Sequence, residues 1–219
     1  MATGTLQRPK FDNFAALMER LGGVPLERIR MDAPPGMATE KDVLAVRAGP
    51  EPRLCELIDG VLVEKAMGIR ESILASFLAH LIHDFLGVNA EGIVLGADGM
   101  IRTFPGQVRI PDVSFISWEN LPNDEVPDEG ISNIAPNLAV EVLSPSNTKA
   151  EIDRKLQDYF RAGVELVWVI DPKTRTAKAY TSPIDVVPIS KTGSLDGGSV
   201  LPGFRLSLKD LFACLKRRR

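Results

Sequence analysis

Between Leu138 and Phe160 the hydrophobic rhythm of the chain changes once, and the remaining elements arrange themselves around that change. Leu138-Ala139-Val140-Glu141-Val142-Leu143 is apolar at every position except Glu141, which predicts a short strand covered on both faces. Ser144-Pro145-Ser146-Asn147 ends the ladder, because proline donates no hydrogen bond. Thr148 to Glu151 matches a capping box, with Thr148 as N-cap and Glu151 reaching back. From Lys149 to about Arg161, Ile152, Leu156, Tyr159 and Phe160 fall at i, i+4, i+7 and i+8, the stripe of an amphipathic helix. Glu165 to Asp171 reads as a second buried strand, so this region predicts a right-handed parallel crossover.

Upstream, Asp12 or Asn13 caps a first helix carrying Phe14, Leu17, Met18 and Leu21, ended by Gly22-Gly23. Val24 to Gly36 reads as irregular, and Thr39 to Asp42 starts a short helix with Val43 and Leu44. Residues 1–50 are expected to form a helical extension packed on a core domain of residues 51–219. Leu54 to Glu64 predicts a hairpin turning through Asp59-Gly60 in type I′ geometry. Arg70 to Leu86 predicts a long helix; taking Ile73 as origin, Phe77, Leu81, Leu74, Phe85, Leu78 and Ile82 span about 40° to 180°. His80 and His83 fall on its polar face. Ile93 to Leu95, Met100 to Phe104 and Val108 to Ile116 read as strands, with a turn at Pro105-Gly106. Trp118 to Pro136 is a polar, acidic connection. Thr176 to Thr181 and Asp185 to Ser190 suit a hairpin or edge strands, and Leu208 to Leu215 a short terminal helix. The sum is an α/β fold, a central mixed sheet flanked by helices.

Composition narrows the partners. The 219-residue chain carries a formal net charge of −3, so a nucleic-acid ligand must be held by a local patch. The basic tail Lys216 to Arg219 has the character of a solvated end. No run reaches the roughly 18 apolar residues of a membrane span, and Met1 to Lys10 lacks a signal-peptide core. Cys55 and Cys214 sit in apolar surroundings without framework spacing. These features predict a cytoplasmic protein with reduced, structural thiols.

Chemistry concentrates where charge interrupts the apolar pattern. Burying an unpaired Glu141 would cost several kcal/mol by a rough estimate, so a metal ion or a buried basic group must compensate it. At about 100° per residue, Lys155 lies roughly 60° from Ile152 and 40° from Tyr159, the charged side chain nearest the buried stripe. It can lean over the end of the Glu141 strand. Asp112 follows Pro111 inside an apolar run, where aspartate has poor β propensity; taken alone it suits a turn or bulge acid. Glu71 falls inside the stripe of the long helix, in its first turn. Favourable interaction with the helix dipole and a role as a further site carboxylate explain it equally well. Glu56 and Glu64 are expected to face solvent or to pair with lysine or arginine. Two carboxylates on neighbouring strands, Asp112 and Glu141, can share a hard divalent cation, with the Val142 carbonyl as a further oxygen ligand. Such a cation makes hydroxide available near neutral pH, and a lysine beside it stabilises developing negative charge. A thiol enzyme using Cys55 finds no histidine near it in sequence.

The ordered set Glu56 to Glu64, Val108 to Phe115, Leu138 to Ser146, Lys155, Tyr159, Ala162-Gly163-Val164 and Val167 to Pro172 resembles one bacterial family, the restriction-endonuclease-like Uma-two group of the PD-(D/E)XK nucleases. Pro35 to Thr39 and Leu201 to Phe204 are similar to members of that group as well. The resemblance implies a restriction-endonuclease-like core and a DNA endonuclease dependent on Mg²⁺, with Mn²⁺ as a substitute. It implies Asp112 and Glu141 as metal ligands and Glu71 as the helix-borne acid. It also implies a homodimer, since cutting a duplex needs two sites. The signature's lysine position, two after the glutamate, is Leu143 here; relatives place that lysine on the following helix, where Lys155 stands. The rival is a non-cleaving binding or assembly module that kept the fold, favoured by the acidic composition and by Leu143.

Overall fold

The structure, a computed structural model, describes residues 11–87 and 91–217. Met1 to Lys10, expected to carry no signal-peptide core, and the last two residues of the basic tail lie outside the described residues. Among the described residues no helix is long and apolar enough to cross a membrane.

The first segment holds α1 (Phe14–Arg20), a two-residue strand β1 (Ile29–Arg30) and α2 (Glu40–Ala48). Asn13 caps α1 by accepting from the Ala16 N–H at 3.0 Å, and Asp42 accepts from the Thr39 N–H at 2.7 Å. β2 (Cys55–Ile58) and β3 (Val61–Glu64) form the expected hairpin. Its turn residues Asp59 and Gly60 both have positive φ, 48° and 71°, the signature of type I′. A Cβ on Gly60 would lie 2.5 Å from the Gly36 backbone, so packing as well as conformation requires glycine there. Then follow α3 (Ile69–Leu86), β4 (Gly92–Leu95), β5 (Ile101–Phe104), β6 (Gln107–Arg109), β7 (Val113–Ser117) and β8 (Leu138–Val142). The chain continues through α4 (Lys149–Ala162), β9 (Leu166–Asp171), β10 (Thr176–Tyr180), β11 (Val186–Ile189), β12 (Ser194–Asp196), β13 (Arg205–Ser207) and α5 (Leu208–Ala213).

Instead of lying in one sheet, the longer strands divide between two. An antiparallel sheet has the order β1-β3-β2-β6-β5, and a six-stranded mixed sheet the order β11-β10-β9-β8-β7-β4. In the mixed sheet only β8 and β9 run parallel, joined by α4 as the sequence pattern predicts. The run Val108 to Ile116, expected as one strand, breaks at Ile110-Pro111-Asp112 and feeds both sheets. Pro111 has no N–H to donate, the Ile110 N–H bonds the Glu56 carboxylate, and the Asp112 N–H bonds the Val140 carbonyl. The stretch Val24 to Gly36, expected to be irregular, supplies β1, which pairs with β3 through Ile29 and Val63.

Helices cover both faces of the mixed sheet. α3 and α5 pack on one face, where Leu74, Leu78, Ile82, Leu208 and Leu211 meet Val113, Val140, Val142, Trp168 and Ile170. α4 packs on the other, where Ile152, Leu156 and Tyr159 meet Ala139, Val167 and Val169. The buried stripe of α3 is narrower than its apolar residues suggest: Ile73 and Phe85 remain 39% and 43% exposed. His80 and His83 are exposed, as expected.

Candidate active site

Strand alternation places Glu141. Val140 and Val142 enter the α3 side of the sheet, so Glu141 between them turns to the α4 side, where it is 5% exposed. On α4, Lys155 and Tyr159 are four residues apart and share a face. Lys155 Nζ donates to Glu141 Oε2 at 3.0 Å, and the Tyr159 hydroxyl donates to Glu141 Oε1. The basic partner that the buried glutamate requires is therefore present within the chain.

The pair extends into a network. Lys155 Nζ also lies 3.0 Å from Glu56 Oε1. Glu56 further accepts from the Ile110 N–H at 3.1 Å and from Arg109 at 2.9 Å. Arg109 in turn donates through Nε to Asp158 at 2.8 Å. Beside this network, Asp112 Oδ2 accepts from the Val142 N–H at 2.6 Å, while Oδ1 stands 2.8 Å from Lys65 Nζ. Asp112 thus bonds the backbone of the neighbouring strand, not its own turn.

Charge balance explains the proton affinities. Four buried carboxylates, Glu56, Asp112, Glu141 and Asp158, face three buried cations, Lys65, Arg109 and Lys155, leaving one negative charge in excess. Burial alone pushes Glu56 towards protonation, but Lys155 and Arg109 outweigh it and hold the carboxyl at about 2. Glu141 goes the other way. Burial raises it, Asp112 and Glu56 add to the rise, and Lys155 and Lys65 only partly oppose them. Burial works against the Lys155 ammonium, yet Glu141 and Glu56 raise its proton affinity. Burial and Glu141 keep the Tyr159 phenol protonated, as its role as donor requires.

The structure brings Asp112, Glu141, Val142 and Lys155 together, and among the described residues Glu71 makes no hydrogen bond or ion pair with any of them. Glu71 is buried in the first turn of α3, the helix that covers the opposite face of the sheet from Glu141. Among the described residues, no group of three or more histidine, cysteine, aspartate or glutamate side chains converges to hold a metal ion. Glu64 pairs with Arg53 at 3.0 Å, as expected of a paired acid, while Glu56 pairs deep in the interior. Glu151 does not reach back to its cap; it binds Arg28 at 2.8 Å and Asn147 at 3.0 Å, while its N–H donates to Thr148 at 3.0 Å. Cys55 lies buried in β2, and burial raises its thiol to about 11, so it stays protonated and unreactive.

Sequence reasoning missed Lys65, Arg109, Asp158 and the hydroxyl of Tyr159. Arg109 carried a usable signal, since it interrupts the apolar run Val108 to Ile110 just as Glu141 interrupts its own strand. Lys65 carried none.

As a donor set, two carboxylates, a strand-end carbonyl and one uncompensated negative charge have the hard-oxygen character that Mg²⁺ or Mn²⁺ takes. A mixed sheet sandwiched by helices, with an acid pair and a helix-borne lysine at one strand end, defines the restriction-endonuclease-like class. Residues 42–209 match the Uma2 family, described as "Putative restriction endonuclease", and the chain belongs to that family. It is similar in fold to the crystal structure of "a putative nuclease belonging to DUF820" from Anabaena variabilis ATCC 29413. That match has 24% identity and a TM-score of 0.67, and covers 75% of this chain and 92% of the other. No curated protein matches the sequence.

Proposed function

We propose that this protein is a divalent-cation-dependent endonuclease acting on DNA, as a homodimer when both strands of a duplex are cut. One observation carries the reading: Lys155 bridges Glu141 and Glu56 while Asp112 is bonded to the backbone of the same strand end. Family membership supports the nuclease class. Asp112, Glu141 and the Val142 carbonyl are the residues that would hold the cation. A bound Mg²⁺ or Mn²⁺ would supply a water acidic enough to ionise near neutral pH and would offset charge on the phosphate. The chain's own part is positional and electrostatic. Tyr159 and Lys155 fix the Glu141 carboxylate, Glu56 helps keep the Lys155 ammonium charged and aimed, and Arg109 holds Glu56 in place. The third N–H of Lys155 is the donor suited to a phosphate oxygen or the attacking water. Glu71, buried in the first turn of α3, is assigned no role in this reading.

A second reading has its own observation. Both Asp112 oxygens already have partners, which suits a binding or assembly module whose charges are structural. Calorimetric titration with Mg²⁺ and Mn²⁺, then plasmid nicking at low salt, separates the two. For the nuclease, Asp112→Ala and Glu141→Ala are expected to lose cation binding and at least about 100-fold of nicking while still folding. Either variant nicking as well as the parent would sink the assignment. Absence of cation binding in the parent would favour the module.

A further inference from the structure

Among the described residues, the hydrogen-bond and ion-pair partners of the Lys65 ammonium are all oxygen atoms. Besides Asp112 Oδ1 at 2.8 Å, Nζ lies 2.9 Å from the Ile110 carbonyl, 3.0 Å from that of Ala97 and 3.1 Å from that of Pro111. The side chain is 5% exposed. Its backbone is fixed too, because the Lys65 N–H donates to the Leu54 carbonyl at 2.8 Å where the β2–β3 hairpin ends. The ammonium therefore joins the hairpin, the turn after β4 and the corner at which the chain passes between sheets.

A carboxylate with several backbone carbonyls is what a hard cation takes as ligands. Here the chain fills that environment with its own positive charge. Asp112 has two carboxylate oxygens, one on the Val142 N–H and the other on Lys65. A divalent cation at Asp112 would meet the Lys65 charge within a few ångströms, in a buried setting that screens repulsion poorly. We infer that Lys65 is a tethered counter-ion standing in for a cation at Asp112, so that cation binding there and the Lys65–Asp112 pair are mutually exclusive. This rests on Asp112 being a cation ligand, as proposed above. It adds that the cation-free protein is held together at this corner by lysine, and that loading requires the ammonium to leave.

Lys65→Met keeps an unbranched apolar stem and removes the charge. Mn²⁺ titration by calorimetry should give at least about ten-fold tighter binding to Lys65→Met than to the parent, since like-charge repulsion is removed. Melting at matched ionic strength should show the variant weakened without metal and raised by Mn²⁺ more than the parent is. Adding Asp112→Asn to the variant should abolish both gains. Should Lys65→Met fail to fold, Lys65→Gln retains N–H donors for the carbonyls without the charge, and the same affinity comparison applies. Unchanged or weaker Mn²⁺ binding in these variants, or a gain that survives Asp112→Asn, overturns the inference and leaves Lys65 as a brace of the corner.

Nicking reports on the function separately. Tighter Mn²⁺ binding in the variants with no nicking by any form keeps the counter-ion and removes the nuclease. Nicking by the parent with unchanged affinity in the variants does the reverse. No Mn²⁺ binding by parent or variants overturns both.

Discussion

The two faces of the mixed sheet are covered in the same way, by helices, and solve opposite problems. On the α3–α5 face, β8 presents Leu138, Val140 and Val142 to a wholly apolar cluster. Trp168 stacks on Phe204 there, and its Nε1 finds no hydrogen-bond partner among the described residues. That face tolerates a lost hydrogen bond, worth roughly 1–3 kcal/mol, because area burial supplies the stability. On the α4 face the same strand presents Glu141, and the carboxylate is met by both Lys155 and Tyr159. An unmatched charge there would cost more than the local packing could offset, so each buried ion has a partner. One face holds the sheet together; the other holds charge in place.

Removing a single charge from the α4 face should cost most. Lys155→Met leaves Glu141 and Glu56 buried without their shared cation, and urea unfolding should show a loss of roughly 3–5 kcal/mol. A loss below 1 kcal/mol would mean that water reaches the network. Leu78→Ala on the apolar face should cost roughly 2–5 kcal/mol by the same measurement, yet leave Mn²⁺ affinity unchanged. A change in affinity would break the separation of the two faces.

The faces should also differ in acid. Glu56 titrates near 2, below its ordinary value of 4.5. Its contribution to stability is therefore full above pH 4.5 and is lost as pH falls towards 2. Glu141 acts in the opposite sense: its raised proton affinity makes its contribution decline as pH rises past the ordinary carboxylate range. Glu56→Gln should accordingly flatten the acid limb of a stability profile between pH 4.5 and 2, while Leu78→Ala shifts the whole profile without changing its shape. The smallest effect is expected at the edge of the α4 face. Thr148→Ala removes the cap that accepts from the Glu151 N–H and should cost about 1 kcal/mol in the same urea experiment.

Much of this was legible where neighbours in sequence are neighbours in space. The β8–α4–β9 unit follows from a change of period, and the helical angle of Lys155 brings it to the Glu141 strand without knowledge of the fold. Asp112 stood out because a proline and an acid do not belong inside one continuous strand. Glu71 could not be placed in the same way. Periodicity says which side of a helix is buried, but not which face of the sheet receives it, and α3 covers the face opposite Glu141.

The sequence by itself therefore determined the α/β class, the elements around β8, and the need for a positive partner at Glu141, because all three depend on local period and on the cost of buried charge. Only the tertiary structure decided how that cost is met. Arg109 reaches Asp158 across 49 residues and Lys65 reaches the Pro111 carbonyl across 46, after the chain has turned between two sheets. Such partners are matched by distance and desolvation in the folded interior, which no spacing along the chain encodes.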